Sequence, residues 1–164
     1  MQPSAQVMVR RAVAADIDRV LEIDRAALYV SHWGRNVYEK YEGEPREDFF
    51  HRCLLVAVDD GSVIGFAAGS FLEGDDAALL ENLTVEVHWR RRGVARALCA
   101  ALIDWAKAEG ALGLDLEVRV TNEAARALYA SLHFMEQGRR KKYYSDPEED
   151  GVLMGLRFRQ VSDG

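Results

Sequence analysis

Between Leu114 and Val120 the chain alternates strictly: Leu114, Leu116, Val118 and Val120 are apolar, and Asp115, Glu117 and Arg119 are charged. A period of two predicts a strand with one buried face. Elsewhere the period lengthens. Val94, Ala97, Leu98, Ala101, Leu102 and Trp105 fall on one side of a helix running from about Arg92 to Glu109 and ending at Gly110. Ile17, Val20, Leu21 and Ile23, led in by Ala14-Ala15-Asp16, mark an earlier helix. Ala124, Leu128 and Leu132 are the core stripe of a short one between Asn122 and about His133. Further strands are predicted at Val7–Arg11, Leu54–Val58, Ser62–Phe71, Ala77–Val85, Phe134–Tyr144 and Val152–Arg159. Asp59-Asp60-Gly61 signals a hairpin, Gly74-Asp75-Asp76 a second turn, and Ser145–Gly151 the loop between the last two strands. Ser31–Phe50 resists assignment: Trp33, Tyr38, Tyr41, Phe49 and Phe50 sit among charges, with helical spacing in parts and a break at Gly43 and Pro45.

A strand, a helical stretch, a run of strands, then helix, strand, helix and two strands predict an α/β fold. Its sheet is mixed, with helices on both faces. No repeat, low-complexity tract or linker divides residues 1–164, and that length buries a proper core in one domain.

The strand Ala77–Val85 runs into Glu86-Val87-His88-Trp89-Arg90-Arg91-Arg92-Gly93, which opens the long helix. A helix start offers unpaired backbone N–H groups and the positive end of the dipole, so it suits a phosphate. Gly93 lets a ligand approach where a Cβ would stand in the way. The whole chain carries a net charge of −6 and a pI near 5.3, so the arginines are a local basic patch on an acidic body. That balance argues against a general nucleic-acid binder. Cys53 and Cys99 stand in no metal or CxxC spacing and read as free thiols in a reducing compartment. His32, His51, His88 and His133 share no ligand spacing, so no metal is expected, and no Ser-His-Asp or Cys-His arrangement suggests a covalent acyl-enzyme. No leader and no apolar run of the ~20 residues that cross a bilayer are visible, and the expectation is a cytoplasmic protein with no membrane partner.

Arg90-Arg91-Arg92-Gly93-Val94-Ala95 fits the pattern Q/R-x-x-G-x-G/A between a strand and a helix. One helix later come Leu116-Glu117-Val118-Arg119, then Asn122-Glu123-Ala124-Ala125-Arg126-Ala127-Leu128-Tyr129, Phe134 and Tyr143-Tyr144. On these residues the chain from about Leu54 to Leu156 resembles the GCN5-related N-acetyltransferases, the GNAT superfamily. Within it the chain is similar to the RimI-like branch that acetylates ribosomal-protein alanine N-termini. The Pro-Trp pair frequent in that branch is missing from Ser31–Phe50.

The resemblance implies a mostly antiparallel sheet whose splayed central strands hold acetyl-CoA. It implies that Leu83, Thr84 and Val85 face the pantetheine arm and acetyl group through their backbone. Arg90, Arg91, Arg92, Gly93, Val94, Ala95 and Arg96 would wrap the pyrophosphate, and Asn122 would touch the cofactor. Glu117 would be the general base and Tyr129 the general acid. Tyr143 and Tyr144 would line the groove for a protein N-terminus, transfer being direct in a ternary complex. A small-molecule amine or a lysine side chain remains an alternative acceptor, and the chain would be a monomer or homodimer.

Elementary chemistry agrees. An α-amine has a pKa near ~8, so a modest proton acceptor frees the nucleophile. A backbone N–H near Val85 stabilises the developing oxyanion. Asn122 and Tyr129 lie two turns apart on one helix face. Each residue alone also has a plainer reading: Glu117 on a solvated strand face, Tyr129 as packing, Asn122 as an N-cap, and the arginines as an exposed charge run. Two rivals from other classes are a silent acyl-CoA sensor, which would lack Glu117 and Tyr129, and a nucleic-acid module using Arg90–Arg92 and Arg139–Lys142, whose affinity would fall steeply with salt.

Overall fold

The alternating stretches pair as predicted in a computed structural model that describes residues 7–28, 32–42, 49–145 and 147–159. In chain order the elements are β1 (Met8–Arg11), α1 (Ile17–Ala26), α2 (Arg35–Tyr41), β2 (Phe50–Asp59), β3 (Ser62–Leu72), β4 (Ala77–Val85), α3 (Val94–Ala108), β5 (Gly113–Arg119), α4 (Glu123–Ser131), β6 (Met135–Tyr144) and β7 (Glu149–Arg157). The strands form one seven-stranded sheet in the order β1-β2-β3-β4-β5-β7-β6. Every neighbouring pair is antiparallel except β4 and β5, which run parallel.

Helices cover both faces. On one, Ile17, Val20, Leu21 and Ile23 of α1 and Tyr38 and Tyr41 of α2 bury against Leu54, Val56, Phe66 and Ala68. On the other, Val94, Leu98, Cys99, Leu102, Trp105 and Ala106 of α3 bury against Leu55, Ala57, Ala67, Leu80, Leu114 and Leu116. Small residues of β3 let α3 come close. A Cβ on Gly69 would stand 2.8 Å from Leu102 Cδ1, so the buried Leu102 side chain would have to give way. Leu98 and Leu102 are fully buried, worth about 2–3 kcal/mol each in area removed from water.

Two irregularities shape the centre of the sheet. The parallel pairing of β4 with β5 runs only from Ala77↔Gly113 to Leu80↔Leu116, and beyond it the strands part. On its other edge β4 carries a bulge: Ala68 pairs with Asn82 and Gly69 with Leu80, leaving Glu81 as the extra residue. The bulge reverses the alternation. Before it, Ala78 and Leu80 face α3; after it, Leu83 and Val85 do, while Asn82 turns to the α1–α2 side and bonds Tyr38.

Several boundaries differ from expectation. The long helix begins at Val94, because Gly93 at φ +80° is its N-cap and Arg91, also at positive φ, belongs to the turn. Its buried stripe takes in Cys99 and Ala106, with Ala97 half-buried at its edge. The core side of α4 is Ala125, Leu128, Tyr129 and Leu132, and Ala124 is exposed. β2 begins at Phe50, since buried His51 is accommodated by Glu73 (3.0 Å) and Glu109 rather than by an apolar neighbour. β7 begins at Glu149, inside the expected loop, because Tyr144 pairs with Glu149 and Thr121 holds its carboxylate at 2.6 Å. The unassigned stretch contains α2; residues 43–48 and Asp146 lie outside the described residues. Cys53 and Cys99 are buried free thiols, each pushed up to about 12 by burial.

Candidate active site

The parting of β4 and β5 opens a cleft of about 430 Å³ on the α1–α2 side. Leu79, Leu80, Leu116, Leu153 and Met154 supply its apolar surface, and Glu81, Asp115, Glu117, Gln137, Arg140, Tyr143 and Tyr144 its polar surface. Strand alternation puts Leu114, Leu116 and Val118 of β5 under α3 and turns Glu117 into the cleft.

Glu117 is half-buried. Its Oε1 lies 3.3 Å from Arg140 Nη2, and its Oε2 is buried with no hydrogen-bond partner among the described residues. A buried carboxylate oxygen with no donor is costly unless a ligand supplies one. Tyr143 and Tyr144 meet edge to face at 5.0 Å, with Arg140 5.2 Å over the first ring and Arg119 4.5 Å over the second. Burial, then the charge of Glu117, pushes the Tyr144 phenol up to about 12.

Tyr129 lies on the opposite side of the sheet. It is buried, tilted against Phe134 at 5.5 Å, and its hydroxyl has no hydrogen-bond partner among the described residues. Burial, with Cys99 and Tyr144 nearby, raises its pKa well above that of a free phenol, so it keeps its proton at neutral pH.

Backbone geometry divides the three β4 residues expected at the cofactor. Glu86 N–H donates to the Ile64 carbonyl at 2.8 Å, so by antiparallel alternation Thr84 turns its N–H and C=O to β3. Leu83 and Val85 present theirs to the gap on the β5 side. The Val85 carbonyl accepts from Arg90 Nε at 3.4 Å, and Thr84 donates its hydroxyl to Asn82 Oδ1 at 3.0 Å.

The turn after β4 fits an anionic group. The first helical bond of α3 runs from Ala97 N–H to the Gly93 carbonyl at 3.0 Å, which leaves the N–H groups of Val94, Ala95 and Arg96 outside the helical ladder. No side chain caps this end. A Cβ on Gly93 would meet nothing within 4 Å, so the position needs glycine for its positive φ more than for space. Arg92 stacks 5.1 Å from Trp89, and Arg96 donates to Ser131 at 2.7 Å. Free N–H groups, the helix dipole and the cluster of guanidiniums suit the pyrophosphate of a CoA. Asn122 caps α4, its Oδ1 accepting from Ala125 N–H at 3.2 Å, which leaves its amide NH₂ for a ligand.

Sequence reasoning missed three residues that complete the cleft. Arg119 is buried and donates to the Pro147 carbonyl (2.8 Å), the Ser145 carbonyl (3.1 Å) and Glu149 (3.3 Å), pinning the β6–β7 hairpin. Glu81 accepts from Ser70 at 2.9 Å and from the Tyr41 hydroxyl. Its signal was present, because Glu81-Asn82 puts two polar residues in succession inside an apolar strand. Tyr41 comes from α2, whose placement rests on a buried polar chain. Fully buried Asp24 accepts from Trp33 N–H (3.0 Å) and the Tyr38 hydroxyl and contacts His32 Nδ1 (2.6 Å), and Asn82 donates to Tyr38 at 3.2 Å. Among the described residues no group of three or more His, Cys, Asp or Glu side chains is arranged for a metal, and no helix is long and apolar enough to cross a membrane.

The model of the acetyltransferase (GNAT) family matches residues 17–134. The [ribosomal protein bS18]-alanine N-acetyltransferase of Escherichia coli strain K12 is 33% identical over 143 residues, spanning 86% of this chain and 90% of that one. The crystal structure of the Escherichia coli ribosomal-protein-S18-alanine N-acetyltransferase superposes with a TM-score of 0.79 at 28% identity, covering 96% of this chain and 97% of that one. A Salmonella typhimurium protein solved with its cofactor acetyl-CoA shares the fold, at a TM-score of 0.76 and 20% identity over 97% and 98% of the two chains. The chain belongs to the acetyltransferase (GNAT) family and is an acetyl-CoA-dependent N-acetyltransferase.

Proposed function

We propose that the acceptor is the α-amine of a protein N-terminus, as the names of the bS18-alanine relatives say of those proteins. The observation that carries this reading is the unpartnered Glu117 Oε2 in a cleft walled by Tyr143 and Tyr144. An α-ammonium, with a pKa near ~8, gives up its proton to a carboxylate or through it to water near neutrality. A lysine amine, near ~10.4, has a neutral fraction roughly two hundredfold smaller at the same pH, which an acceptor as weak as a carboxylate serves poorly.

Acetyl-CoA, when bound, supplies the thioester carbonyl that the amine attacks. The residues of the chain do the rest. The arginine turn and the start of α3 hold the pyrophosphate, and Leu83 and Val85 direct their backbone groups into the gap, where an N–H meets the carbonyl oxygen as charge develops. Glu117 takes the amine proton on Oε2. Tyr129, holding its proton, donates toward the departing sulfur from the α3 side. Asn122 steadies the cofactor through its free amide.

Mass spectrometry of N-terminal peptide libraries incubated with acetyl-CoA tests the acceptor. Acetyl groups are expected on α-amines and not on lysines of N-terminally blocked peptides; the reverse distribution removes the reading. Glu117→Gln is expected to cut kcat about a hundredfold near pH 7 while the affinity for acetyl-CoA stays the same. That loss shrinks toward pH 9, where the amine is already neutral.

A further inference from the structure

We propose that Glu81 is an acceptor-binding residue, whose carboxylate holds the α-ammonium of the incoming N-terminus across the split from Glu117. The inference rests on the N-terminal reading above and gives it a second contact.

Register places the residue. Leu80↔Leu116 is the last bonded pair of β4 and β5, so Glu81 and Glu117 are the next residues on the two strands, where they part. Both line the same cleft. Glu81 faces that wall with Leu79 by ordinary alternation from Leu80, and the bulge leaves it without a partner on β3 while it turns Asn82 to the same side.

Charge then separates Glu81 from its neighbours. Asp115 is paired with Arg157 and Glu117 with Arg140, each at 3.3 Å. Among the described residues no cation pairs with Glu81. Its partners are the hydroxyls of Tyr41 and Ser70, which orient a carboxylate without neutralising it. Arg52 reaches this carboxylate only through the Tyr41 hydroxyl, so the cleft keeps at its mouth a carboxylate with no direct ion-pair partner among the described residues. A single ammonium between Glu81 and Glu117 satisfies that charge and the unpartnered Glu117 Oε2 together. The two carboxylates divide the work. Both Glu81 oxygens already accept hydrogen bonds, which fixes it for recognition, and Glu117 keeps an oxygen free to take the proton.

Two octapeptides beginning with alanine, one with a neutral second residue and one with lysine there, serve as probes, with Glu81→Gln and Glu81→Asp as variants. Calorimetry of each peptide on the CoA-bound enzyme is run alongside kcat and KM, and melting curves check folding. Glu81→Gln is expected to weaken binding and raise KM for both peptides by on the order of tenfold to a hundredfold. kcat and acetyl-CoA affinity change little, and Glu81→Asp recovers part of the loss. Tyr41→Phe, which frees one oxygen from its anchor, gives a smaller rise in KM. Unchanged peptide binding in Glu81→Gln overturns the inference. So does a loss confined to kcat with a shifted pH profile, which would make Glu81 the base, and so does a loss seen only with the lysine peptide. A wild-type enzyme that binds neither peptide overturns the N-terminal reading and this inference with it; one that binds both, with Glu81→Gln equal to it, overturns this inference alone.

Discussion

Tyr129 sits where packing and proton donation make opposite demands, and its variants tell them apart. Tyr129→Phe keeps the ring against Phe134 and removes only the hydroxyl, so the melting temperature moves little. A proton donor predicts a rate loss of roughly ten- to a thousandfold, whereas a packing ring predicts full activity and a cost of about 3–5 kcal/mol only on truncation to alanine. The raised pKa adds a pH test. A tyrosine in water gives up its proton near pH ~10, but one whose pKa is raised still holds it there. Wild-type kcat should not fall as pH rises through that value, and a fall centred there would show an ordinary phenol at work. At this scale the site was half legible. Glu117 and Tyr129 stood out by position in an ordered pattern. Arg119 read as one more charge on an alternating strand, since nothing local announces that the chain about thirty residues later folds back onto it.

Among the elements, the turn between β4 and α3 was the most readable, because strand, arginines, glycine and helix are contiguous and their physics is local. Its role is testable by melting with and without acetyl-CoA. A ligand that binds only the native state raises the melting temperature by mass action. Gly93→Ala should cost about 1–2 kcal/mol, because alanine resists the positive φ found there, and keep a reduced shift. Gly93→Glu should abolish the shift by adding a negative charge at the helix start. A folded Gly93→Glu protein with a normal shift would move the pyrophosphate elsewhere. α2 was illegible for the opposite reason. Its placement depends on Asp24, Tyr38 and Asn82, polar residues that are buried only because they find one another across three elements. No periodicity registers a satisfied polar core.

For the whole molecule, strand and helix order was enough to predict a mixed sheet with helices on both faces, since each amphipathic element has one side to bury. The site depends on two departures from regularity, the early end of the β4–β5 pairing and the extra residue at position 81. The second has a reach well beyond its own side chain. β4 is in effect read in two frames, the first giving Ala78 and Leu80 to the α3 layer and the second giving it Leu83 and Val85. Glu81 is the frameshift between them. Excising it, rather than replacing it, would close the bulge and make the ladder continuous: Asn82 would follow Leu80 directly, Leu83 and Val85 would still face α3, and Asn82 and Thr84 would still face α1 and α2. A chain lacking residue 81 should therefore keep a cooperative melt, as Glu81→Gln and Glu81→Ala should, and lose the carboxylate from the cleft. A deletion variant that no longer melts cooperatively would mean that the bend and twist of the bulge, and not only the facing of the residues beyond it, hold the centre of the sheet together.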